Sequence, residues 1–259
     1  MKIHFYSDIH ADINNIQNPA TVIGTSEPAD LYIDAGDTGS LLATQRFYRH
    51  SFWNDKQAVF IAGNHLCYGV YDTLSTVEES LSNEFHINNN VSFLQNSEKH
   101  FGNIVVLGTT LWTDFKVFGS QELSLKYAGR ALNDFRSVMY TEDAYLSPKD
   151  TVVLNSLAKK YIHKRLKKNP TKKYIIVTHH TPSLRSSSPQ YLNDPITPCF
   201  CNDMEDFIKQ HDNILMWIHG HVHNAVYYMI GNVPIICNPY GYKTYQEASG
   251  YVSNAVLEV

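Results

Sequence analysis

Short apolar runs recur along this chain, and most of them stop on Asp, Asn or His. "KIHFYSD" (2–8), "LYIDAGD" (31–37), "AVFIAGNH" (58–65), "NIVVLGTTLW" (103–112), "KYIIVTHH" (173–180) and "ILMWIHGHVH" (214–223) read as strands. "AVYYMIG" (225–231), "VPIICNP" (233–239) and "NAVLEV" (254–259) complete the set. Several are apolar without alternation, which is the pattern of strands covered on both faces. Such strands require layers packed above and below them. Helical patterns fill 40–52, 73–85, 150–168 and 201–212. In the third, Leu154, Leu157, Ala158, Tyr161, Ile162 and Leu166 fall on one stripe. Asp150 or Thr151 is expected to cap it, Asn169-Pro170 to stop it, and Asn202 or Asp203 to cap the fourth.

The first hundred residues read β-α-β-α-β, which predicts parallel strands. Beyond 214, short turns such as Gly231-Asn232 predict an antiparallel meander. The expected class is α/β: two mixed β-sheets packed as a sandwich flanked by helices, in one domain over 1–259. Residues 113–150 show no clear period and are left unassigned.

Composition narrows the function classes. Hydrophobic residues are 43% of 259, net charge is −4 and the pI is near 6.3. This is a globular chain with no overall bias toward polyanions. The basic residues from Lys159 to Lys173 read as a solvated helix face. Cys67, Cys199, Cys201 and Cys237 form no C-x-x-C pair, so they read as free thiols in a reducing compartment. The N-terminus turns polar within eight residues, and no run nears ~18 apolar residues. A cytoplasmic protein without a membrane partner is expected, and the sequence carries no mark of oligomeric state.

The strand ends carry the chemistry. They present Asp8 and His10, then Asp37, then Asn64 and His65, then His179 and His180, then His221 and His223. Ligand crevices of open α/β sheets lie at the carboxyl ends of the strands. Imidazoles with carboxylates and one amide oxygen suit divalent ions. Side chains two apart in an extended segment point the same way. Asp8-x-His10 and His221-x-His223 are therefore expected to face each other as two halves of a cage.

These blocks, "SDIH", "GD", "GNH", "THH" and "GHVH", resemble those of the calcineurin-like metallophosphoesterase superfamily. "NDFRS" (133–137) and "CNPYGY" (237–242) resemble a bacterial branch of it. The resemblance implies two divalent ions, Mn, Fe or Zn. It implies a first ion on Asp8, His10 and His223, a second on Asn64, His179 and His221, and Asp37 between them. It also implies His65 as the acid that protonates the leaving oxygen. The expected reaction is hydrolysis of a phosphomonoester or phosphodiester by metal-activated hydroxide, on a small-molecule substrate. The alternatives are a nuclease, which the charge balance does not favour, or a catalytically weak scaffold of the same fold.

Two features depart from the family pattern. Leu66 follows G-N-H where an acidic residue is common, and "GDTGS" lacks the D-R-G whose Asp orients the catalytic His. The partner of His65 is therefore open. Arg185 and His180 are candidate substrate contacts. Arg130 and Arg136 offer further phosphate grips, and Asn238 and Tyr240 are candidates for the rim.

Overall fold

The computed structural model describes residues 1–24, 26 and 28–259. Its first sheet contains β1 (Lys2–Tyr6), β2 (Leu31–Asp34), β3 (Ala58–Ile61) and β4 (Val91–Leu94), with α1 (Leu41–Arg49) and α2 (Leu74–Glu84) between strands. The chain crosses to the second sheet between Leu94 and Ser97, with Asn96 in the left-handed region at φ 45°. There it forms β5 (Ser97–Phe101) and β6 (Ile104–Thr109). Then come α3 (Gln121–Ala131), α4 (Asp134–Ser137) and a small hairpin of β7 (Met139–Thr141) and β8 (Ala144–Tyr145). The remaining elements are α5 (Pro148–Lys168), β9 (Lys173–Thr178), α6 (Glu205–Lys209), β10 (Ile214–His219), β11 (Val226–Ile230), β12 (Val233–Cys237) and β13 (Val256–Glu258).

The sheet orders are β13-β1-β2-β3-β4 and β11-β12-β10-β9-β6-β5. In the first, β1 to β4 run parallel and β13 runs antiparallel along β1. In the second, β6, β9, β10 and β12 are parallel, with β5 and β11 antiparallel at the edges.

Alternation along each strand builds the layers. Ile3, Phe5, Ile33, Val59 and Ile61 point inward and meet Val106, Ile175, Val177, Ile218 and Ile236 of the other sheet. Their neighbours Tyr6, Tyr32 and Phe60 point outward onto Phe47 and Tyr48 of α1 and Val77 and Leu81 of α2. On the far side, Tyr174, Ile176 and Trp217 receive Ala158, Ile162 and Leu166 of α5. Both faces of both sheets are covered, so the long apolar runs are accounted for. No helix among the described residues is long and apolar enough to cross a membrane.

Several expectations need correction. The helices expected at 40–52 and 73–85 follow β2 and β3 as Leu41–Arg49 and Leu74–Glu84, whereas between β1 and β2 the described residues hold one 3₁₀ turn, at Pro19–Thr21, and no α-helix. The antiparallel meander holds only for β11 and β12, which pair across the Gly231-Asn232 turn. β12 pairs parallel with β10, and β11 is pushed to the edge. Burial explains the order: β12 is covered along most of its length, whereas β11 alternates between half-buried and exposed residues until Ile230.

Helix α5 starts earlier than expected, at Pro148. Ser147 and Asp150 form a reciprocal capping box, so Asp150 is the third helical residue rather than the cap. Leu157 lies exposed, and Asn155 takes a place in the buried face. The fourth helical pattern shrinks to Glu205–Lys209, because Asn202 is buried and donates its amide to the Leu111 and Thr181 carbonyls. All four cysteines are buried and free. In the basic stretch, Lys159 pairs with Asp114 and Arg165 with Glu98.

One buried acid ties the first sheet to α1. Asp34 accepts hydrogen bonds from the Thr38 and Tyr48 hydroxyls and from the Gly36 N–H. Burial nevertheless pushes its carboxyl up to about 7. The folded state thus holds this proton more tightly than the unfolded chain does. The resulting stabilisation is full below 3.8 and is lost as pH rises through about 7. Between pH 5 and 8, wild type should lose about 3 kcal/mol relative to Asp34→Asn, at ~1.4 kcal/mol per pH unit. Urea unfolding of both proteins across that range, in the presence of a chelator, checks this. A constant difference would mean that the carboxylate stays ionised in the fold.

Candidate metal centre

The carboxyl ends of β1, β2, β3, β9 and β10 converge along one edge of the sandwich. The loops leaving them bring Asp8, His10, Asp37, Asn64, His65, His179, His221 and His223 together. Three groups form in which the potential ligand atoms lie within 4.8 Å of one another: Asp8 with His10 and His223, His10 with Asp37 and His65, and Asp37 with His179 and His221. Asp37 belongs to two of them. Its Oδ2 lies 3.2 Å from His179 Nε2 and 3.9 Å from His10 Nε2, while its Oδ1 accepts the His65 N–H at 3.0 Å. Asn64 Oδ1 lies 3.1 Å from His179 Nε2. His10 and His223 face each other, Nε2 to Nε2, at 3.0 Å.

The backbone that achieves this is not extended. Asp8, His10, Asp37, His221 and His223 all have positive φ, between 40° and 72°. Asn64 is right-handed helical and opens a 3₁₀ turn through His65 to Cys67. Alternation of side chains along extended segments therefore does not produce the cage; the turns at the strand ends do. Left-handed non-glycine residues cost about 1–3 kcal/mol each and gather at functional sites. Two motif glycines have a steric reason. A Cβ on Gly63 would lie 1.8 Å from Asp37 Oδ1, and one on Gly220 would lie 2.8 Å from Asp8 Oδ2.

The donor set fits divalent cations. His221 groups with Asp37 and His179, and its buried Nε2 has no hydrogen-bond partner; His10 Nδ1 also lacks one. Nδ1 of His179 meets the Ala35 carbonyl at 2.9 Å, and Nδ1 of His223 meets Glu247 Oε2 at 2.8 Å. Each ring can donate there and keep its Nε2 lone pair for a metal. Asp134 fixes Asn64 in the same way. Asn64 Nδ2 and the Tyr68 hydroxyl both donate to Asp134 Oδ1, which turns the amide oxygen inward.

Electrostatics in the metal-free state point the same way. Burial drives His10 down to about 4 and His221 well below the ordinary histidine range. Burial opposes charge on His179 and His223 as well, but carboxylates outweigh it. Asp37 lifts His179 to about 9, while Asp8 and Glu247 lift His223 to about 10. Burial disfavours the Asp37 carboxylate too, and His179 overrides that and holds the group well below its usual value. Two imidazolium rings thus balance buried carboxylates. A metal ion must displace those protons, so its affinity falls as pH falls.

The remaining sequence candidates go elsewhere. His180 is buried, faces the Thr110 carbonyl and packs between Trp112 and His221. Arg185 is exposed; it lies over Tyr228 and donates to the Met229 carbonyl. Neither is among the residues lining the cleft over the site. His219 bonds Ser186 through Nε2. Asn238 is buried and donates to Phe5 and Val252 carbonyls, and Tyr240 packs on Tyr251, so neither forms the rim. The residues that do matter there, Tyr68, Asp134, Tyr242 and Glu247, were not singled out from sequence. Asp134 lies within "NDFRS" and Tyr242 within "CNPYGY", and those two stretches were the available signal.

Fold and site together define a two-sheet α/β protein with a metal-ligand cluster at its strand ends. The family model of calcineurin-like phosphoesterases matches residues 1–225, and the chain belongs to that family. It is a hydrolase of phosphoric ester bonds, and the family implies divalent metal ions. No curated protein sequence matches it significantly.

Among solved structures, it is similar to the phosphopantetheinyl hydrolase PptH from Mycobacterium tuberculosis, at 16% identity over 94% of this chain and 90% of that one, with a TM-score of 0.64. A looser likeness is to a putative 5'-nucleotidase from Staphylococcus aureus (15% identity, 92% of this chain and 48% of that one, TM-score 0.44). Another is to the calcineurin-like phosphoesterase YfkN from Bacillus subtilis (14%, 92% and 80%, TM-score 0.43). This chain spans about half the length of the Staphylococcus aureus chain. At these identities the likeness is one of fold alone.

Proposed function

We propose that the cleft hydrolyses a phosphomonoester or phosphodiester of a small molecule with the help of two divalent cations. Asp8, His10 and His223 would hold one, Asn64, His179 and His221 the other, and Asp37 would serve both. The observation that carries this reading is the buried position of Asp37 within two of the three ligand groups. When bound, the cations would supply Lewis acidity to the phosphoryl oxygens and a nucleophile from water at neutral pH.

The chain's own residues do the rest. Glu247 and Ala35 fix the tautomers of His223 and His179, and Asp134 fixes the Asn64 amide. His65 opens onto the cleft beside Asp37, with its Nε2 3.1 Å from the Tyr242 hydroxyl. It is placed to give a proton to the leaving oxygen. The nuclease reading gains nothing here, because no lysine or arginine is among the described residues lining the cleft.

The test is turnover of p-nitrophenyl phosphate and bis-p-nitrophenyl phosphate by protein loaded with manganese, iron or zinc, with metal content measured. Hydrolysis of at least one ester, abolished by chelation, is expected. No turnover of either with two equivalents of metal bound would leave the weak-scaffold alternative in possession.

A further inference from the structure

The cleft above the ligand cluster has a volume of about 540 Å³. That is far more than one phosphate group fills, and it is within the usual range for small-molecule sites, ~300–1,000 Å³. Its walls are chemically one-sided. Close to the ligands, Phe200 stacks on the His221 ring at 4.8 Å. From there an apolar wall runs outward through Ile196, Leu132 and Tyr191. Phe200, Ile196 and Leu132 also pack against Phe115, Ala128 and Cys199, so the wall is backed by a core and is preformed. Tyr191, at 52% exposed, forms its outer lip.

No lysine or arginine is among the described residues that line the cleft. Arg136, Arg185 and Lys243 are near it in sequence, but none of the three lines the cleft, and each is engaged by other groups. Arg136 is held by the Arg130 and Ala131 carbonyls, Arg185 by the Met229 carbonyl, and Lys243 by the Glu247 carbonyl and the Ser249 hydroxyl. The charged groups that do line the cleft beyond the reacting centre are Asp134 and Glu247. A second phosphate or a carboxylate on the substrate would find no lysine or arginine among the described lining residues to receive it. A nucleic acid strand would find aromatic surface for its bases but no positive groove for its backbone.

We propose that the alcohol half of the substrate is an uncharged, apolar or aromatic group seated on the wall of Leu132, Tyr191, Ile196 and Phe200. The proposal rests on the phosphoesterase reading of the site and deepens it. Nucleoside polyphosphates, sugar bisphosphates and nucleic acids are thereby excluded as preferred substrates.

The test is calorimetric binding of two phosphonates to manganese-loaded protein of measured metal content. Both carry the same anionic head; one bears a 2-phenylethyl tail and the other a 2-hydroxyethyl tail. Burial of the phenyl group predicts about 10- to 100-fold tighter binding of the first. Tyr191→Ser and Ile196→Ser should each move that ratio toward one. Equal affinities, or tighter binding of the hydroxyethyl compound, overturn the proposal. So does an unchanged ratio in both variants, since the tail then rests elsewhere. The two readings fail separately. A protein that keeps the ratio but hydrolyses neither nitrophenyl ester loses the enzyme reading, while the apolar wall stands. A protein that hydrolyses them with a ratio of one loses only the wall.

Discussion

Asp37→Asn should lose metal and activity together. The substitution preserves size and removes one charge from a group that is 3% exposed. That charge sits 3.2 Å from His179 Nε2 and 3.9 Å from His10 Nε2, in two of the three ligand groups. Outer partners of metal ligands typically cost 10- to 100-fold in affinity when removed. A carboxylate shared by two sites should cost at least that at both. The several kcal/mol that bound ions contribute to a phosphoryl transition state correspond to roughly 1,000-fold in kcat/KM. Metal analysis after dialysis and turnover of p-nitrophenyl esters measure the two effects, with circular dichroism to show that the sandwich is intact. An Asp37→Asn protein that retains two equivalents of metal and near-normal rate would falsify the shared role of this residue. The same substitution also removes the main counter-charge of His179, so metal-free Asp37→Asn should take up fewer protons near neutral pH than wild type.

The sequence showed the strand ends clearly because two independent constraints coincide there. Burial on both faces forces apolar runs such as "YIIVT", and metal chemistry restricts the positions just beyond each run to a few residue types. The Gly63 and Gly220 positions are similarly visible, because a neighbouring carboxylate leaves no room for a Cβ. The features that stayed hidden have other causes. Left-handed backbone at Asp8, His10, Asp37, His221 and His223 is imposed by the loops and leaves no local pattern. The order of β10, β11 and β12 depends on which strand can be covered, not on turn length. The short β4 and β5 fall across a change of sheet, so their inward and outward positions do not continue one alternation. Asp134, at the start of the one-turn α4, and Glu247, on a loop, are ordinary acids in sequence, and their value comes from residues some 70 and 24 positions away, Asn64 and His223.

His65 separates from the ligands by a different experiment. Its ring nitrogen lies close enough to His10 and Asp37 to be grouped with them, so geometry admits it either as a ligand or as an acid. Its Nε2, however, is 3.1 Å from the Tyr242 hydroxyl, and its ring rests against Tyr68. Burial, with the Asp37 and Asp8 charges, pushes the Tyr242 phenol above its ordinary value, so it stays protonated, and its oxygen can accept a hydrogen bond from a His65 Nε2–H. Tyr242 thus occupies the place that an orienting acid would otherwise take, and it also stacks on His10 at 4.5 Å. An acid role predicts that His65→Ala keeps its metal while kcat falls by ~10²–10⁴-fold. The loss should be larger for an alkyl ester than for a p-nitrophenyl ester, because nitrophenolate departs without a proton. Tyr242→Phe deletes one hydrogen bond and should cost about 10-fold. Because Tyr242 acts through His65, the double variant should be no slower than His65→Ala alone. Metal content decides the alternative: if His65→Ala loses an equivalent of metal as Asp37→Asn does, then His65 is a ligand. If the double variant is slower than His65→Ala by the full factor of Tyr242→Phe, the hydroxyl acts on the substrate directly instead of through the imidazole.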